Sequence, residues 1–300
     1  MRLPRYPVYV ISKGRAERCL TARFLEREGT PFRLVVEPQE AEAYAAKHGH
    51  DRLSVLPFSN LGLGSIPARN WVWEDAASAG AARHWILDDN INEIRRQFRG
   101  RRIPCDSGPA LAAVEDFVDR YENVPVAGLQ YQMFGFPGIP PFTTNVHVYS
   151  CLLIDCAAPF RWRGRYNEDT DLCLQVLAAG LCTVLVNVFQ VYKVPSMQMK
   201  GGNTDELYAG DGRLEMARSL ERAWPGVVQV KRRYGRPQHV VAWGRFDTPL
   251  KLKPGIDLAS FPKVDESGLS LTQRRPIRNF RVEDVRDEYA KVGAVHDRTA

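Results

Sequence analysis

The sequence predicts an α/β fold with a mostly parallel central sheet flanked by helices, and three observations carry that expectation. Short β-rich stretches alternate with helix-period stretches over most of the first two thirds of the chain. Gly and Pro punctuate the gaps, as in the Gly that stops "RAERCLTARFLEREG" and the Pro that closes "PFRLVVEP". The 300 residues are 44% hydrophobic and 25% charged, enough for one large core or two modest ones.

Taken in order, "YPVYVIS" alternates and reads as a strand, "RAERCLTARFLEREG" has helical spacing, and "PFRLVVEP" is a second strand, which together make a βαβ unit. "QEAEAYAAKHG" is a helix, "LSVLPF" a strand, "IPARNWVWEDAASAG" a helix and "RHWILDD" a strand. Beyond Pro104 come the helix "GPALAAVEDFVDRYEN", the strand "PVAGLQYQMF", the Pro/Gly-rich loop "GFPGIPPFTTN" and the strand "VHVYSCLLID". A helix from about Glu168 to Ala179 and the strand "CTVLVNVFQVYK" complete the alternation. After Val194 the texture changes to a mobile loop, the helix "RLEMARSLERAWPG", and a tail past Gly244 that reads as an irregular wrap.

Composition narrows the function classes. No stretch approaches the roughly 18 apolar residues of a membrane span, and the N-terminus has no signal-peptide pattern, so a cytoplasmic location without membrane partners is expected. The six cysteines form no C-x-x-C pair or Cys/His cluster, and are expected to be reduced core residues. The net charge of +6 mildly favours a polyanionic partner.

The stretch "HWILDDNINEI" runs an apolar strand into Asp88 and Asp89. In open α/β sheets ligands gather at the carboxyl ends of strands, and two carboxylates at one point require a cation or a proton between them. That points to Mn²⁺ or Mg²⁺ on Asp88 and Asp89; the plainer alternative is that one Asp only caps the segment that follows.

"GSIPARNWVWEDAASAGAARHWILDD" and the acidic helix start in "YNEDTDLCLQVLAAG" resemble the Ala-Arg-Asn helix, Asp-x-Asp strand and xED motif of GT-A glycosyltransferases, and "YVISKGRAERCLTARFLEREGTPFRLVVEP" resembles that family's opening strand, helix and strand. The resemblance covers about residues 6 to 194. It implies a GT-A fold, Rossmann-like with a mostly parallel sheet, divided into a nucleotide-sugar half (1–103) and an acceptor half (104–200), with 201–300 as an irregular extension. More narrowly, "NLGLGSIPARNWVWE" with "WILDDNI" is similar to the phage TET-associated glycosyltransferases, which implies 5-hydroxymethylcytosine in DNA as acceptor, a UDP-sugar as donor and the cytoplasm of an infected bacterial host as location.

On this reading a metal bridging the diphosphate neutralises the leaving group, and Asn90 could replace the last acid of the Asp-x-Asp motif, so which two of Asp88, Asp89 and Asn90 touch the ion is open. Ser12, Lys13, Gly14 and Arg15 after the first strand, Glu37 after the second, and Arg69 and Asn70 on the Ala-Arg-Asn helix are the candidate donor contacts. Lys193 stands roughly where the family often has a metal-ligating His. Either the ion has only Asp and phosphate ligands, or the ammonium replaces part of its charge. Asp169, with Glu168 beside it, is the candidate general base, whereas Asp171 points elsewhere. Lys200, in a glycine-hinged stretch, is a candidate phosphate contact on a lid.

Two basic stretches are candidate DNA contacts: Arg95, Arg96, Arg99, Arg101 and Arg102, and Lys231, Arg232, Arg233 and Arg236 interleaved with Tyr234, Trp243 and Phe246. The alternatives are the same catalysis on a saccharide, lipid or protein hydroxyl, or a catalytically silent GT-A-like module that binds nucleic acid. The sugar, the stereochemical course and the oligomeric state are not legible in the sequence.

Overall fold

The computed structural model describes residues 2–59, 61–98, 100–136, 138–194, 212–233 and 235–260. The chain divides into two compact units, Met1–Pro254 and Gly255–Ala300; the described part of the second is a short segment with one 3₁₀ turn, Leu258–Ser260.

The first unit is a mixed α/β structure around one large sheet. Its strands are β1 Val8–Ile11, β2 Arg33–Val36, β3 Leu53–Val55, β4 Arg83–Asp88, β5 Ile91–Phe98, β6 Arg101–Cys105, β7 Val126–Tyr131, β8 Phe142–Thr144, β9 Cys151–Asp155 and β10 Thr183–Lys193. The helices are α1 Leu20–Arg27, α2 Ala41–His48, α3 Ile66–Ser78, α4 Ser107–Val118, α5 Glu168–Ala178 and α6 Gly212–Ala223. The sheet order is β3-β2-β1-β4-β9-β7-β10-β5-β6, with β8 also on β10. The first four positions and the β7–β10 pair are parallel, while β9 runs antiparallel between the two halves. A separate hairpin pairs β11 Val228–Arg233 with β12 Arg236–Val241.

Helices cover both faces, which is why these strands read as continuous apolar runs. Val10, Leu34, Trp85 and Leu87 face Phe24, Leu25 and Leu111; Tyr9, Val35 and Ile86 face Val72, Trp73 and Leu172 on the other side. Each fully buried Trp or Leu contributes roughly 2–3 kcal/mol of transfer free energy. At the centre, β7 and β9 approach so closely that a Cβ on Gly128 would lie 2.2 Å from the Cys151 carbonyl oxygen, so only glycine fits there.

Three local readings differ. The arginine-rich stretch after Asp89 is a β-hairpin, β5–β6, in which only Ile91 and Ile94 are buried, so its alternation is masked in sequence. The segment read as a strand from Val146 enters the sheet only at Cys151; Asn145 and Ser150, with φ of 57° and 65°, turn the chain through the left-handed region first. The basic stretch from Gln229, to which the sequence reading assigned no element, is the β11–β12 hairpin. Beyond it, residues 248–252 fold back on the core, where the Asn123 side chain binds the Pro249 carbonyl and the Lys251 amide. No described helix is long and apolar enough to cross a membrane.

Candidate active site

The parallel strands end on one side of the sheet, and their ends open into a cavity of ≈ 560 Å³. β1 and β4 run side by side with Ile11 opposite Asp88, so the loop after β1 and the acidic turn after β4 meet. Thr21 on α1 fixes that turn, its hydroxyl donating to the Asp88 carbonyl at 2.6 Å and accepting from the Ile91 amide at 2.9 Å.

On the first wall each acid is held by cations. Asp88 accepts from Arg69 at 3.0 Å and faces the Lys193 ammonium at 3.4 Å. Burial pushes its carboxyl up, but Lys193 and Arg69 outweigh that and hold it below the usual carboxylate range. Asp89 accepts from the Ser12 hydroxyl and from Arg15, each at 2.6 Å, yet burial dominates and raises its carboxyl. Arg69 has its Nε 3.5 Å from Glu168 and its guanidinium over the Trp162 ring at 4.6 Å, while its buried Nη1 has no partner among the described residues.

The second wall is the start of α5, preceded by Asn167 in the left-handed conformation (φ 54°). Glu168 accepts from Ser65 at 2.8 Å, and burial pushes its carboxyl up. Asp169 lies 3.3 Å from His147 Nε2. Burial opposes its ionisation, but His147, by charge and hydrogen bond, and Arg69 hold it well below the usual range. Two adjacent carboxyls are thus pushed in opposite directions, the pattern that separates an ionised base from its neighbour.

Of the candidate donor contacts, Ser12, Lys13, Arg15, Glu37, Arg69 and Lys193 line the cavity, together with Asp88, Asp89, Asn90, Glu168 and Asp169. Gly14 sits beside it with its amide already donating to Glu40. Asn70 is not brought to the cavity: its amide clasps the Trp162 backbone at 2.9 and 3.0 Å, so it braces the wall instead of reading a ligand. Asp171 turns away and binds Arg163, Gln175 and Trp224. Lys200, Arg99 and Tyr234 lie outside the described residues.

None of the described candidate DNA contacts lines the cavity. Arg95 is paired with Glu93 and stacks on Tyr192 at 4.1 Å, and Arg102 binds the Tyr192 hydroxyl and the Gly135 carbonyl. Arg96 and Arg101 sit on the same hairpin. Lys231, Arg232, Arg233 and Arg236 form the exposed tip of β11–β12, whose other end brings His239 to the cavity.

Several lining residues escaped the sequence reading. Tyr131 and Phe134 meet edge-to-face at 5.8 Å, Phe134 and Tyr149 at 6.4 Å, and His147 lies 4.6 Å from Tyr149 and stacks with Trp243 at 6.2 Å. Phe134 and the neighbouring Met133 are exposed. Ser150 accepts from Lys193 Nζ at 2.5 Å. Most of these residues lie where the sequence read regular strand, and only the aromatic content of "LQYQMF" and "HVY" marked them.

A divalent ion fits this donor set poorly. Both carboxylates already face cations or a hydroxyl, Asn90 gives its amide nitrogen to the Val194 carbonyl and keeps only Oδ1 free, and no group of three His, Cys, Asp or Glu suited to a metal occurs among the described residues. The expected ligand set of Asp88, Asp89 and Asn90 is therefore one that these contacts disfavour.

A protein-family model described as TET-Associated Glycosyltransferase matches residues 6–202. A crystal structure provisionally described as a nucleotide-diphospho-sugar transferase from Desulfovibrio desulfuricans G20 is similar at a TM-score of 0.38 and 11% identity over 64% of this chain and 83% of that one, a likeness too distant to carry an argument. No curated protein matches.

Proposed function

Because the chain belongs to the TET-associated glycosyltransferase family and is a glycosyltransferase, we propose that it moves a sugar from a nucleotide-sugar, a UDP-sugar, to the hydroxymethyl group of 5-hydroxymethylcytosine in DNA. The observation that carries this reading is the cavity itself. It sets the cation-bound acids Asp88 and Asp89 at the strand ends on one wall and the depressed carboxyl of Asp169 on the other.

The nucleotide belongs against the loop after β1, where Ser12, Lys13 and Arg15 line the cavity, with its diphosphate toward Arg69 and Lys193. The acceptor oxygen attacks the anomeric carbon and its proton passes to the Asp169 carboxylate. As the new C–O bond forms, the bond to the phosphate oxygen breaks and the electron pair leaves with the diphosphate.

The acceptor base fits the aromatic rim of Tyr131, Phe134 and Tyr149, since base stacking on such rings is worth roughly 1–3 kcal/mol per base. A base in a duplex would have to be flipped to reach it. A strand entering the cavity passes His239 and meets the basic tip of β11–β12 only three residues away, about 10 Å along an extended strand.

The test is incubation with a panel of nucleotide sugars and DNA carrying cytosine, methylcytosine or hydroxymethylcytosine, followed by nucleoside mass spectrometry. A hexose on hydroxymethylcytosine alone is the expected result. Transfer to unmodified DNA, or none to hydroxymethylated DNA with any donor, would remove the acceptor assignment.

A further inference from the structure

We propose that Lys193 and Arg69 act as a built-in cation clamp for the leaving diphosphate, so that sugar transfer proceeds without a divalent metal. This rests on the nucleotide-sugar reading above and selects one of the two roles open to Lys193.

Four observations converge on the pair. Lys193 ends strand β10, is 7% exposed, and turns its ammonium to Ser150 and Asp88 at the cavity wall. Arg69 is 5% exposed and keeps one buried guanidinium nitrogen without a partner among the described residues, although a buried donor of this kind normally finds one. Both side chains line the same cavity as the candidate base Asp169. With Arg15, three cations stand against the acid pair of Asp88 and Asp89, so both carboxylates are already engaged by protein charges before any metal could be held.

The positioning devices are costly for a merely structural ion pair. Ser150 is in the left-handed region, φ 65°, and its hydroxyl accepts from Lys193 at 2.5 Å. Asp88 bridges the two cations through separate oxygens, so it spaces them instead of binding a ligand itself. A diphosphate presents oxygens on two adjacent phosphates. The Arg69 guanidinium meets one as a planar, directed donor and the Lys193 ammonium the other as a point charge. When the anomeric C–O bond breaks, the pair left on the diphosphate oxygen is stabilised by charges already fixed in place.

Two measurements test the clamp on the full-length protein. The first is UDP binding by calorimetry in chelator and in Mn²⁺; the second is turnover of a UDP-sugar, as hydrolysis or transfer, under the same conditions. The wild type is expected to bind UDP equally in both and to keep most of its turnover in chelator. Lys193→Ala is expected to bind UDP about tenfold or more weakly and to lose on the order of 10²-fold in turnover. Lys193→His, which puts a metal-ligating side chain at the same point, should recover turnover only when Mn²⁺ is added. Circular dichroism checks that each variant is folded, and the chelator comparison on the wild type decides the matter even if a variant is not. UDP binding or turnover that vanishes in chelator and returns with Mn²⁺ would overturn the clamp, as would a folded Lys193→Ala variant with wild-type affinity. If UDP and the other nucleoside diphosphates fail to bind with or without metal, the donor reading itself falls and the clamp with it.

Discussion

His147 Nε2 lies 3.3 Å from Asp169 Oδ2 and also 3.3 Å from the Thr170 hydroxyl. This contact keeps the candidate base ionised despite its burial, because the charge and hydrogen bond that His147 brings to the carboxylate favour its charged form. The expected consequence is a pH–rate profile in which Asp169 stays available as a base to well below the ordinary carboxylate value of about 3.9. Replacing His147 by Asn should move the acid limb of kcat/KM upward toward that value and lower turnover at neutral pH far less than loss of the carboxylate does. An unmoved acid limb would take His147 out of this positioning role.

Loss of the carboxylate itself is the sharper test. Asp169→Asn should lower transfer by about 10²- to 10⁴-fold, the range of general-base contributions, while UDP binding is retained, since the residues proposed to hold the nucleotide and diphosphate are Ser12, Lys13, Arg15, Arg69 and Lys193. Steady-state transfer and calorimetry on the same preparation separate the two effects. If Asp169→Asn were active and Glu168→Gln dead, the base would be Glu168.

Much of the first wall was legible in the sequence because it follows from a general rule: ligands gather where parallel strands end, and the Asp88–Asp89 turn ends one. The second wall was legible only in part. Glu168 and Asp169 open a helix, a local feature, but His147, Tyr149 and Ser150 reach the cavity because the chain breaks from extended geometry at Asn145 and Ser150. Asn145 is of a type that tolerates positive φ, yet nothing in "NVHVYS" marks Ser150, which has neither a glycine nor a turn dipeptide beside it. Asn70 failed as a ligand reader for a different reason: its neighbour Arg69 faces the cavity, while Asn70 faces the Trp162 backbone.

A pH effect on stability comes from the core. His84 on β4 is wholly buried between Tyr9 and Trp73, and burial lowers its imidazole to about 3. The folded protein therefore keeps His84 neutral while the unfolded chain takes up a proton near 6.5, so stability is full above that value and falls as pH drops from about 6.5 toward 3. Urea midpoints measured across this window should decline with acid, and His84→Phe, if it packs, should flatten the decline. A slope unchanged by the substitution would assign the effect to other groups.

Asp88→Asn tests the spacing of the cations. The substitution leaves the buried Arg69 and Lys193 facing an amide, so the melting temperature should fall, with a cost of about 3–5 kcal/mol for breaking a buried pair as the upper bound. Turnover should fall by on the order of 10²-fold in a protein that is still folded at room temperature. Wild-type turnover would show that Asp88 neither spaces the clamp nor contacts the donor.

The proposed DNA contact makes the last prediction, and the geometry selects which basic stretch to test. Arg95 and Arg102 are occupied by Glu93, Tyr192 and the Gly135 carbonyl, so truncating them would disturb packing as well as charge. The tip of β11–β12 is different: Lys231, Arg232, Arg233 and Arg236 are exposed on a two-stranded hairpin that leads from His239 at the cavity. Each phosphate bound there releases a counterion, so DNA affinity should drop steeply between about 50 and 200 mM salt, with a slope proportional to the number of phosphates neutralised. Arg232, Arg233 and Arg236 changed together to Ala should shallow that slope by roughly one unit for each phosphate no longer neutralised and raise the KM for DNA. Hydrolysis of the donor should be untouched, because none of the three residues lines the cavity. An unchanged salt slope in a variant with normal donor hydrolysis would exclude the hairpin tip as the DNA contact and leave the glycosyltransferase chemistry where it stands.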